Sequence, residues 1–316
     1  RGVAGLRRGL LHRLRGVAGL LQRRLLLVAL LGLLTAFGPF VTDMYLPALP
    51  QLVHDLNTDM TQIELTISTF LIGFSLGQLF WGPASDRYGR RLPIMLGIGL
   101  FILGSVGCAL AETAPQMLVW RVIQALGACA GPVLARAMVR DLYARERAAQ
   151  MLSTLILMMA VAPLLGPLVG AAWVHMAPWE GMFVLFAAFA AIAFFGLHRA
   201  MPETATRLGE TLSLKELGRD YKLVLKNVRF VAGALALGFV SLPLLAWIAQ
   251  SPVIIISGEK LSSYEYGMLQ VPIFGALIIG NLTLARLTSR RTVRSLIIMG
   301  GWPIVAGLIM AAVATV

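Results

Sequence analysis

An aspartate and an arginine stand inside long apolar runs of this 316-residue chain, each without a charged neighbour beside it. Asp43 lies in Thr42-Asp-Met-Tyr-Leu-Pro-Ala-Leu-Pro, one turn before Pro47, and Arg121 lies in Trp120-Arg-Val-Ile-Gln-Ala-Leu-Gly-Ala. A carboxyl in such a place can take up and release a proton. A guanidinium stays charged, and at the centre of a hydrocarbon span it costs about 2.5 to 3.5 kcal/mol on insertion scales, so Arg121 must face a partner or a wet cavity. Bland roles exist for both: Asp43 bonding backbone freed by Pro47, and Arg121 satisfying backbone carbonyls. Enzyme chemistry has no comparable footing. There is no His-Glu-x-x-His, no Gly-x-Ser-x-Gly and no phosphate-binding glycine loop, and His12, His54, His175 and His198 fall in loops or at the ends of apolar runs. Cys108 and Cys129 sit inside apolar runs and read as small buried hydrophobes, so no metal site is expected.

The elements that position Asp43 and Arg121 must be membrane helices. Hydrophobic residues make up 58% of the chain, charged residues 13%, and mean hydropathy is +0.80, whereas soluble domains carry about 25% charged residues. Nine spans are predicted, at 25–48, 63–82, 92–111, 117–136, 150–174, 179–198, 229–255, 266–286 and 295–316. Each covers about 30 Å of hydrocarbon as a helix, and none alternates with the period of two of a barrel strand. The net charge of +12 does not indicate nucleic acid, because the basic residues stand in short runs between the spans. Of 27 Lys and Arg, all but Arg121 and Lys260 fall before the first span or on alternate loops, which places those loops and the N-terminus in the cytoplasm. Residues 1–24 hold seven arginines and no acid, with Arg-Gly-Val-Ala-Gly-Leu at both 1–6 and 15–20. This segment reads as a leader that fixes orientation or as a basic amphipathic helix on anionic lipid.

Between the second and third spans runs Gly82-Pro-Ala-Ser-Asp-Arg-Tyr-Gly-Arg-Arg. Gly82 and Gly89 permit tight turns, Asp86 can pair locally or sit near the start of the next helix, and Arg87, Arg90 and Arg91 suit a cytoplasmic loop. This stretch resembles the loop signature of the major facilitator superfamily, Gly-x-Leu-Ala-Asp-Arg-x-Gly-Arg-Arg. The resemblance implies a six-helix half at 25–198, a cytoplasmic linker at 199–228 and a partial second half at 229–316, an all-α membrane fold built from repeats. Within the linker, Leu212 to Leu225 reads as an amphipathic helix capped by Ser213. A full second half needs three further helices, so the plan predicts that the sequence is a fragment.

Two more patterns narrow the resemblance. Arg121 and its neighbours resemble the superfamily's fourth-helix pattern, Arg-x-x-Gln-Gly-x-Gly-Ala. Ala162-Pro-Leu-Leu-Gly-Pro-Leu-Val-Gly-Ala resembles its antiporter motif, with Ala162, Gly166 and Gly170 on one small-residue face and Pro163 and Pro167 loosening the helix. The same small-residue spacing at Gly73 with Gly77 and at Gly127 with Gly131 reads as packing. Asp-Met-Tyr-Leu-Pro-Ala-Leu-Pro at 43–50 resembles the Bcr/CflA drug-resistance transporters. From about Pro163 onward the chain is similar to a multidrug and chloramphenicol exporter of that family, so the two parts resemble different relatives.

The family resemblance implies proton-driven export of lipophilic drugs, including chloramphenicol and cationic compounds, by alternating access in a bacterial inner membrane. In that reading Asp43 carries the proton and meets the drug, Arg121 influences its charge, and Leu244, Leu245 and Ile248 line the drug pocket. Gly82, Asp86, Arg87, Gly89, Arg90 and Arg91 govern the conformational switch. The proton gradient is the driving force, no cofactor is expected, the partners are drugs, protons and lipid, and the transporter works as a monomer. Where the relative has a second membrane acid two turns earlier, this chain has Thr35. The alternatives are a nutrient or organic-acid symporter of the same fold and a fragment that transports nothing.

Overall fold

The computed structural model describes residues 29–201, 203, 214–287 and 290–314, with no strand among the described residues. The basic segment 1–24 and the expected cap at Ser213 lie outside the described residues. Six long helices come first: α1 (Ala29–Asp55), α2 (Met60–Tyr88), α3 (Arg91–Ala109), α4 (Ala114–Leu142), α5 (Arg145–Met176) and α6 (Glu180–Ala200). The shorter α7 (Leu214–Lys226) follows, then α8 (Val228–Pro252), α9 (Ser263–Leu287) and α10 (Val293–Ala314). Eight of the described helices are long and apolar enough to cross a membrane, α1 to α6 with α8 and α9. The ninth expected span coincides with α10, a 22-residue helix.

Several helices outrun the spans expected for them. α1 continues beyond Pro47 to Asp55, passing through a tight turn at Leu46–Ala48, because Pro47 and Pro50 fall in the first turns of new helical segments, where the missing N–H is tolerated. The loop expected to begin at residue 49 therefore shrinks to 56–59. α4 bends at Cys129, between Ala114–Ala128 and Ala130–Leu142, where Pro132 offers no N–H to the carbonyl of Ala128. The polar stretch at 82–91 is also mostly helix. Gly82 is helical rather than a turn, α2 runs to Tyr88, and the chain turns at Gly89, whose φ of +85° is one a side chain rarely permits.

Helices α1 to α6 form one core in which backbones approach closely. A Cβ at Gly127 of α4 would collide with the Phe101 backbone of α3, and one at Gly131 would strike the Leu34 carbonyl of α1 at 2.5 Å. Phe37 and Phe101 stack beside this crossing at 5.4 Å. At the end near residue 56, Trp179 donates from its indole to Asp55 (3.1 Å), joining α6 to α1.

The opposite end is tied by charge. Arg90 donates to Asp86 (2.6 Å), to Asp141 of α4 (2.8 Å) and to the Ser85 hydroxyl. Burial works against its charge, but the bonds to Asp141 and Asp86 carry its pKa above the ordinary value. Glu203 caps the start of α3, its carboxylate accepting from the backbone N–H of Arg90 (2.8 Å) and Arg91 (3.2 Å). Any Cβ at Gly89 would crowd that carboxylate. Farther along, the Tyr221 hydroxyl of α7 donates to the Leu79 carbonyl (2.7 Å), which Pro83 leaves without its helical N–H. Both ends of the linker are thus held on α2 and its turn. Glu203→Ala removes a cap worth about 1 kcal/mol, and we expect faster amide hydrogen exchange at Arg90 and Arg91, while exchange in the α3 interior stays slow.

Candidate functional site

Asp43 is delivered to a cavity of about 450 Å³ between α1, α2 and α5 on one side and α8 and α9 on the other. Phe70, Phe74, Met159 and Pro163 form its walls with Leu244, Leu245 and Ile248, so the structure brings Asp43 together with all three α8 residues expected there. Asp43 is only 2% exposed, and its Oδ2 has no hydrogen-bond partner among the described residues. Among the described residues it is the one ionisable side chain in the cavity wall.

The small-residue face of α5 allows this placement. A Cβ at Gly166 would lie 2.8 Å from the Asp43 Cβ, and one at Gly170 would collide with the Met44 carbonyl oxygen. The motif at 162–170 is therefore the surface on which the Asp43 turn rests. Pro163 faces the cavity, Ala162 is buried, and the carbonyl of Pro167 lies 3.3 Å from where a Cβ at Gly267 of α9 would be.

Arg121 is fully buried but pairs with no acid among the described residues, Asp43 included. Its Nη1 donates to Gln124 Oε1 (2.8 Å), and Gln124 in turn donates to Ser105 (2.9 Å). The partner is a side chain, where backbone carbonyls were the alternative. The guanidinium lies over the rings of Phe70 (4.4 Å) and Tyr45 (4.6 Å), so aromatic faces offset part of its desolvation. Tyr45 in turn shares a hydrogen bond with Thr66 (2.8 Å). Asp43 and Arg121 contact different neighbours: Asp43 faces the cavity, and Arg121 meets the adjacent Tyr45. At the position of the missing second acid, Thr35 is buried and donates to the Gly32 carbonyl (2.7 Å).

The signature residues Asp86, Arg90 and Arg91 belong to the end cluster and not to the cavity. Arg91 donates to the His198 carbonyl (2.8 Å), and Arg87 covers the Tyr88 ring at 4.9 Å. Sequence reasoning missed Thr42, Ser75 and Asn281, which also line the cavity. Their signal is weak, since a lone hydroxyl or amide in a membrane helix is ordinary. Contacts between the two helix groups include the far end, where Ser263 donates to the Pro47 carbonyl (3.3 Å).

A helical bundle with these motifs and a membrane carboxyl on an inter-group cavity defines a secondary-transporter architecture. The chain belongs to the Major Facilitator Superfamily, whose family model matches residues 29–316. It is 56% identical over 297 residues to the multidrug transporter MdfA of Shigella boydii serotype 4 (strain Sb227), covering 94% of this chain and 72% of that protein. To the MdfA of Edwardsiella piscicida it is 50% identical over 296 residues, with 93% and 72% covered. One kind of relative thus matches both parts of the chain, where the motifs had suggested two. Among solved structures, a bacterial homolog of the human lysosomal transporter Spinster, inward-facing and unoccupied, superposes with a TM-score of 0.67 at 15% identity, covering 85% of this chain and 64% of that one. A D-xylose–proton symporter gives 0.62 at 16% identity, with 84% and 69% covered. These two show the fold alone.

Proposed function

We propose that this chain is a multidrug exporter of the MdfA type, moving lipophilic drugs such as chloramphenicol and organic cations outward in exchange for protons. The observation that carries the reading is a carboxyl, Asp43, the only one among the described residues in the wall of an otherwise largely apolar cavity between two helix groups. Apolar walls hold varied ligands because hydrophobic contact is non-directional, and a lone carboxyl lets drug cation and proton compete for one site. Leu244, Leu245 and Ile248 bear on the ligand, and Arg121 bears on Asp43 indirectly, through Tyr45 and the α1 backbone. The signature cluster at 82–91 secures one end of the bundle while the halves move. The basic loops support a cytoplasmic N-terminus in a bacterial inner membrane, which makes the Pro47–Ser263 contact periplasmic and the state inward-facing. The transporter acts as a monomer, with the proton gradient as its driving force and no cofactor.

The test is transport by the purified protein in liposomes carrying an imposed pH gradient. Drug or lipophilic cation should move against proton flow, with the internal pH changing in step. Gradient-driven movement of small organic acids with no drug movement would instead support a symporter.

A further inference from the structure

The polar groups of the cavity wall share a bias. The Thr42 hydroxyl donates to the Gly38 carbonyl (3.0 Å) and the Ser75 hydroxyl to the Leu71 carbonyl (2.8 Å), so each presents only lone pairs to a ligand. Asn281 commits an amide N–H to the Leu277 carbonyl (3.1 Å), leaving its side-chain carbonyl free and one N–H in reserve. Pro163 gives no N–H to the carbonyl of Met159, and both residues line the same wall. Asp43 adds acceptors when ionised and one O–H donor when protonated.

Resting on the exporter reading, we propose that this wall selects ligands by the hydrogen-bond donors they carry, with Ser75 and Asn281 as specificity-determining residues. Apart from a protonated Asp43 and the spare Asn281 N–H, the polar side chains described in the wall offer acceptors only. With Asp43 ionised, a ligand N–H or O–H finds partners in it, while a ligand acceptor loses its water and finds only the spare Asn281 N–H, which leaves most such groups desolvated and unpaired. The favoured class is therefore an apolar body with a donor head, either an ammonium bearing N–H or a neutral alcohol or amide. Anions and donor-free ethers of the same size are disfavoured. Charge and donor capacity are separable, and the second operates on neutral ligands for which the charge of Asp43 gives no attraction.

The experiment is equilibrium binding to the protein in lipid nanodiscs, at a pH alkaline enough to ionise Asp43, with two matched pairs: a biphenyl methanol and its methyl ether, and a biphenyl methylammonium and its trimethylammonium analogue. Within each pair the donor-bearing member should bind about tenfold more tightly, the ratio that one hydrogen bond of ordinary net strength supplies. Ser75→Ala combined with Asn281→Leu should bring the alcohol-to-ether ratio below about 2, while Ser75→Thr, which keeps the hydroxyl oxygen, should retain most of it. Equal binding of alcohol and ether to the unsubstituted protein would overturn the inference and leave the exporter reading standing. Failure of all four ligands to bind would overturn both.

Discussion

With Asp43 replaced by asparagine, the protein inserts into the membrane, proton-driven export of cationic drugs is abolished, and cation binding becomes insensitive to pH across neutrality. Asparagine keeps the shape and much of the hydrogen-bonding capacity of the acid but cannot titrate. Among the described residues Asp43 is the only ionisable group in the cavity wall, so no second carboxyl there takes over, and Thr35 cannot substitute. Opposite charges about 4 Å apart interact by roughly 4 kcal/mol at an effective dielectric of about 20, so losing the carboxylate should weaken cation binding by tenfold or more, each tenfold being about 1.4 kcal/mol. Neutral drugs should still bind, because the apolar walls are intact. The measurement is cation binding at a series of pH values alongside transport. Binding that keeps its pH dependence in Asp43→Asn would remove Asp43 from the coupling step.

The second large effect is structural. Gly170→Val places a branched side chain where even a Cβ collides with the Met44 carbonyl. Backbone has no rotamer to yield, so α1 and α5 must separate, and overpacking of this kind costs about 1 to 3 kcal/mol or more. We expect a clear fall in the yield of folded protein and in Tm. Gly82→Ala is the matching control: nothing lies within 4 Å of a Cβ there, and alanine is favoured over glycine in a helix by about 1 kcal/mol. Equal loss in both variants would show that the α1–α5 contact has no special weight.

That contrast also marks how much the sequence discloses. Both glycines belong to motifs, but only geometry separates the one pressed against a carbonyl from the one in open space. The membrane helices were legible because long apolar runs have few alternatives, and Asp43 was legible because a charge in such a run is costly enough to stand out. Helix ends were harder to place. Pro47 reads as a stop until its position at the start of a new turn is seen, and Gly82 reads as a turn although the chain bends only at Gly89. Ser75 and Asn281 were beyond reach, since their part depends on which neighbour takes their protons. Arg121 was conspicuous, but its partners are Gln124 and the Tyr45 ring, and it forms no ion pair with the Asp43 carboxyl.

The bond from Tyr221 to the carbonyl that Pro83 leaves free bears on how the two halves can move. Only seven positions separate Tyr221 from Val228, where α8 begins under an Asn227 cap. An anchor so near the root of α8 acts as a pivot: the first turn of α8 swings with little translation, and displacement grows with distance along the helix. At the opposite end the two helix groups meet over a broader surface: Ser263 touches the Pro47 carbonyl, Gly267 of α9 lies close to Pro167 and Ala171 of α5, and Tyr266 is fully buried. Displacement at that far end must therefore part the packing of α9 on α5 as well as one hydrogen bond.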